Sequence, residues 1–100
     1  MIFLIKADWE INGDDSDHEL WQVEAENMTE AEKKLARLWF LSWGKLDGYT
    51  EEEMFDAIKE RHVPLLQGRY RGAAPHLEIT ELGDVSDMDA EIAEWEKERV

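Results

Sequence analysis

The residues best spaced for chemistry lie between Asp8 and Glu19. Set against the loop of an EF-hand, Asp8, Glu10 and Asn12 fall on the first ligand positions, Gly13 on the sharp turn and Glu19 on the bidentate position. Hard oxygen donors in that order suit calcium. The match is incomplete, because Glu10 is longer than the usual ligand there, Asp15 stands where an apolar residue is common, and both flanks alternate like strands rather than helices. The segment therefore reads as a solvated acidic hairpin loop, with a calcium-binding module at residues 8–19 as an alternative.

Other chemistry is sparse. The chain has three histidines, His18, His62 and His76, and no cysteine. None of the histidines sits in a zinc, metalloprotease or nucleophile-elbow pattern, and a chain without thiols has no disulfide, thiolate metal site or cysteine nucleophile. Carboxylate pairs suited to acid–base work are everywhere in a chain with 25 acids, so they carry no diagnosis. His62 falls on a helical apolar stripe and is expected to pack there. The expectation is a binding protein and not an enzyme, with no catalytic residue, cofactor or metal ligand set.

Charge is the dominant property. A formal net charge of −14 on 100 residues accompanies five tryptophans and 43% apolar content, enough aromatic material to fill a small core. A disordered acidic tail would be poor in such residues. The field repels nucleic acid and anionic membrane and steers basic proteins inward over a range set by salt. Positive charge gathers in two islands, Lys33/Lys34/Arg37/Lys45 and Arg61/Arg69/Arg71, leaving the first and last thirds strongly acidic. Arg69 and Arg71, around Tyr70, are expected to pair with the protein's own carboxylates.

The elements that must hold these groups follow from periodicity. Residues 2–11 read as a strand too short to be a membrane helix or secretory segment, Asn12-Gly13 begins a turn, and His18 to Glu26 form a second strand. In the second strand Leu20, Gln22, Glu24 and Glu26 oppose Trp21, Val23 and Ala25. Thr29 with Glu32 has capping-box spacing and opens a helix whose stripe is Ala31, Leu35, Leu38, Ser42 and Leu46, loosened or stopped by Gly44 and Gly48. Thr50 with Glu53 repeats the box before a stripe of Met54, Phe55, Ile58 and His62. Leu77 and Ile79 mark a third strand between Pro75 and Gly83. A last helix, capped by Ser86 or Asp87, carries Met88, Ile92 and Trp95. The prediction is one α+β domain over residues 1–100: an antiparallel sheet of about three strands, the last beside the first, against two or three helices in the order ββααβα.

Two uncompensated acidic segments then become candidate partner-binding surfaces. One is Asp14, Asp15 and Asp17 with Glu24 and Glu26; the other is Asp87, Glu91, Glu94 and Glu98 on one face of the last helix. Helix neighbours three and four apart sit about 5–6 Å from each other at Cβ, so that face is a row of like charges that costs stability. Solubility alone could explain it. Alternatively, the carboxylates imitate a phosphate backbone for a protein lined with Lys and Arg. Phe40 and Trp43 point away from the Leu35/Leu38 side and are expected to pack on the following helix or to anchor an interface, a partner's or a homodimer's.

In size, acidity and mixed α/β pattern the chain resembles immunity proteins and antitoxins that neutralise basic nucleases, and phage-encoded anti-defence proteins that occupy nucleic-acid grooves. The resemblance implies a cytoplasmic inhibitor of a basic nuclease or other nucleic-acid-binding protein, without direct nucleic-acid or membrane contact. A self-associating structural or adaptor protein is the alternative. Because the excess charge opposes compaction, the melting temperature is expected to rise on going from low to moderate salt; scanning calorimetry across an ionic-strength series measures this, and a fall would contradict it.

Overall fold

Apolar side chains at every second position from Phe3 to Trp9 call for a strand with one dry face. Phe3, Ile5, Ala7 and Trp9 are buried, while Lys6 and Glu10 meet water. A computed structural model describes the backbone of residues 1–11, 15–83 and 85–98 and the side chains of residues 1–10, 17–83 and 91–97. Strand β1 (Ile2–Ile11) pairs antiparallel with β2 (Asp15–Glu24) and with β3 (His76–Gly83), giving the order β2-β1-β3. The last strand does lie beside the first. The second strand starts and ends earlier than predicted, because the pairs Trp9 with Asp17 and Ile11 with Asp15 carry the ladder toward residues 12–14.

The first helix departs from expectation in cap and face. In α1 (Met28–Trp39) the cap is Asn27, whose side chain accepts from the Glu30 N–H at 2.9 Å, and Glu30 in turn accepts from the Glu26 N–H at 3.3 Å. Asparagine competes well at this position, so Thr29 is drawn into the first turn. Glu32, freed from the expected capping box, is only 6% exposed and pairs with Arg61 Nη1 at 2.5 Å. The buried stripe is Ala31, Leu35, Ala36 and Trp39; Leu38 and Ser42 are exposed, and Leu46 is 87% exposed. The phase changes beyond Trp39 because α1 runs through a π-helical segment (Phe40–Gly44) into α2 (Lys45–Asp47). The amides of Lys45 and Tyr49 there reach back five residues, to Phe40 and Gly44. Gly48, at φ 104°, ends the run.

Helix α3 (Glu51–Lys59) has the predicted capping box between Thr50 and Glu53, with Tyr49 and Met54 both buried. Met54 and Ile58 face the core and Phe55 packs at its edge. His62 does not join them: the helix stops at Lys59, Arg61 turns the chain at φ 61°, and His62 is exposed while Val63 is buried. The core lies between the sheet and α1 with α3, built from Ile5, Ala7, Leu77, Leu35, Trp39, Met54 and Ile58. Helix α4 (Val85–Glu98) begins ahead of the predicted caps, and residues 91–97 are all exposed. Ile92 at 50% and Trp95 at 62% exposure add nothing to the core. Met88 was expected on the same stripe, but its side chain lies outside the described residues.

The architecture is thus a small α+β domain with an open antiparallel sheet covered on one face. Among the described residues no helix is long and apolar enough to cross a membrane. The pair of Glu32 with Arg61 joins α1 to the end of α3, and Arg61 also donates to the Ile58 carbonyl at 2.7 Å. Arg61→Ala strands a buried carboxylate, so urea unfolding should show a loss of about 2–4 kcal/mol, partly recovered when Glu32→Gln is added.

Candidate functional site

The inner face of the hairpin ends in Trp9, Asp17 and Glu19, since register places Asp17 opposite Trp9 and Glu19 opposite Ala7. Glu19 is the junction of this region. Its Oε2 accepts from the Trp9 indole at 3.1 Å, and its Oε1 accepts from Trp39 and Trp21, each at 3.3 Å. A carboxylate has lone pairs for all three, and charge-assisted bonds of this kind are stronger than neutral ones. The rings of Trp9, Trp39 and Trp43 close into a triangle with centroids 5.7–6.1 Å apart, and Tyr49 meets Trp43 edge-on at 6.0 Å. The π-helical segment turns Trp43 toward this triangle. The Tyr49 hydroxyl donates to the Pro64 carbonyl; burial, with Asp47 and Glu53 adding to it, pushes its phenol above the usual range and keeps that donor protonated.

A loop over residues 64–75 forms the opposite wall. Asp47, at the end of α2, accepts from the amides of Leu66 at 2.7 Å and Gln67 at 3.1 Å. Leu65 is tied to Ala73 and Gly72 by backbone bonds of 2.8 Å, and Gly68 and Gly72 supply positive φ at the bends. Arg69 lies over the Tyr70 ring, 5.9 Å from its centroid. The expected pairing of Arg69 and Arg71 with carboxylates is absent among the described residues, where these two arginines make no ion pair. Between the walls runs an open groove of about 540 Å³, with Trp9, Trp43, Leu46, Leu65 and Tyr70 as apolar surface and Asp17, Glu19 and Arg69 among its polar groups.

Among the described residues the donors of the calcium-loop alignment do not converge; Asn12 and Gly13 lie outside them. Asp8 and Glu10 alternate onto the outer face of β1, whereas Glu19 lies on the inner face and is occupied by indoles. Asp8 is hydrogen-bonded to His18 Nδ1 at 2.6 Å, which holds its carboxyl below the usual carboxylate range. Donors on opposite faces of one sheet cannot share an ion.

The predicted partner-binding residues divide between two ends of the molecule. Asp17 and Trp43 line the groove together. Glu24 and Glu26 are seven and nine residues further along than Asp17, and at about 3.3 Å per strand residue Glu24 is some 23 Å away. Ile2 pairs with both Glu24 and Gly83, so α4 leaves the sheet from the Glu24 end, carrying the exposed Glu91 and Glu94 with it. Phe40 is half-buried and outside the groove. Asp14 lies outside the described residues, as do the side chains of Asp15, Asp87 and Glu98. Glu19, Leu46 and the Arg69–Tyr70 loop were read from sequence in other roles, and their meeting in one groove was missed. Glu19 had a signal, since it shares strand parity with Trp21, Val23 and Ala25; the loop wall had none.

Comparison with family models, with curated proteins and with solved structures finds no match. The site therefore stands on its own geometry. Glu19→Ala would leave the buried indole donors of Trp9 and Trp39 without an acceptor, and chemical denaturation should show a loss of about 2–5 kcal/mol. Glu19→Gln, which keeps one acceptor oxygen, should lose less.

Proposed function

We propose that the chain is an acidic binding protein that docks on a cationic surface of a nucleic-acid-handling protein and blocks it, without catalysing a reaction. The observation that carries this reading is the state of its carboxylates. Asp17, Glu24, Glu26, Glu91 and Glu94 take part in none of the six ion pairs among the described residues. All five are exposed, and Asp17 lines the groove. Charge that is neither paired nor buried acts at a distance, raising encounter rates with basic proteins and repelling polyanions.

On this reading the protein works as the immunity and anti-defence proteins it resembles in size and acidity do, in the cytoplasm, by steric and electrostatic occlusion of a nuclease or other nucleic-acid-binding protein. Self-association is the second reading. It draws on the exposed Leu38, Leu41 and Leu46 more than on the expected aromatics, because Phe40 and Trp43 are half-buried and Trp43 lines the groove. Sedimentation at micromolar concentration separates the two, since a monomer leaves those leucines open to a foreign partner.

The test is capture at low ionic strength, identification of proteins eluted by salt, and association kinetics with the purified partner. Glu91→Lys with Glu94→Lys should slow association by about tenfold and flatten its salt dependence. Unchanged kinetics would remove α4 from the interface, and capture restricted to proteins without basic surfaces would overturn the reading.

A further inference from the structure

We infer that the groove between the hairpin and the 64–75 loop seats a basic side chain, Lys or Arg, of the partner. This inference rests on the proposed docking of a cationic protein and assigns where one of its residues enters.

Shape comes first. At about 540 Å³ the groove falls within the usual range of ligand sites, about 300–1,000 Å³, and has room for a long side chain with its flanking backbone. Its apolar lining is largely aromatic, contributed by Trp9, Trp43 and Tyr70 with Leu65 and the exposed Leu46. Such surface suits the methylene stem of a lysine or arginine, and tryptophan is the best aromatic partner for a cation.

Charge selects among occupants. Asp17, Glu19 and Asp47 line the groove against Arg69 alone. Glu19 and Asp47 are already bonded to N–H donors, but those donors are neutral and leave the negative charges in place. Asp17 is exposed and makes no ion pair among the described residues. A phosphate would be repelled. A purely apolar side chain would strip water from carboxylates and return no hydrogen bond. A guanidinium or ammonium gains from both linings at once. The groove already holds one such contact of its own, the Arg69 guanidinium over the Tyr70 ring.

The experiment follows the tryptophan indole N–H signals of the ¹⁵N-labelled full chain during titration with capped Gly-Arg-Gly, Gly-Lys-Gly, Gly-Gln-Gly and Gly-Leu-Gly peptides. The Arg and Lys peptides should give saturable shifts at Trp43 and Trp9, at least about fivefold tighter than the Gln and Leu peptides. Asp17→Asn and Leu46→Ala change exposed side chains, so the fold should persist, and each should weaken binding about threefold or more. Thr80→Ala, an exposed change on the outer face of β3 that leaves the charge alone, should leave peptide binding unchanged. Equal binding of the neutral peptides, shifts confined to Trp95, or no saturable shift would overturn the assignment. If peptides fail while salt-sensitive capture of a basic protein persists, the groove assignment falls and the docking reading stands. If peptides bind but no basic protein is captured, the reverse holds.

Discussion

The rest of the structure depends on one carboxylate receiving three indoles. Glu19 fixes Trp9, Trp21 and Trp39 from two strands and a helix, so the hairpin cannot shift against α1 without breaking charge-assisted bonds. An apolar residue there would orphan the donors, and a lysine would place donor against donor. The acidic character of the chain is therefore not all surface decoration. Glu19 organises the aromatic core, Glu32 with Arg61 locks α1 to α3, and Asp47 pins the loop that completes the groove.

Asp17, Glu24, Glu26, Glu91 and Glu94 take no part in such pairing among the described residues. Several cations are committed to other groups: Arg37 to Glu51, Lys59 to Asp56 and the Phe55 ring, and Lys34 to Glu30 and the Glu24 carbonyl. The outcome is a domain with two negative ends, one at the groove and one where Glu24, Glu26 and α4 leave the sheet. A partner that touched both would need a cationic surface at least as long as β2.

The strands, the Thr50 capping box and the stop at Gly48 were legible because each depends on neighbours in sequence: alternation, a hydroxyl three residues ahead of a glutamate, a glycine free to take positive φ. Fold class followed from those signals. The cap of α1 was misread because Asn27 and Thr29 both qualify and only the phase of the buried stripe decides between them. That phase was hidden in turn by the π-helical segment, which shifts Leu46 outward and Trp43 inward while leaving no mark in a periodicity count. The groove was half legible. Asp17 and Trp43 stood out by type, but their meeting depends on a loop held by Asp47 across nineteen and twenty residues, and no local pattern reports such closure. Trp95 and Ile92 made a convincing amphipathic stripe that the domain leaves uncovered.

The open sheet carries a hazard that its charges also manage. With the order β2-β1-β3, the outer backbone edges of β2 and β3 have no neighbouring strand within the sheet, and such edges invite another chain to add on and propagate into fibrils. Asp17 and Glu24 lie along one edge and Glu78 and Glu81 along the other. A second copy approaching in register would bring like charges together at the spacing of paired strands, so the negativity that favours a basic partner also discourages this protein from polymerising with itself.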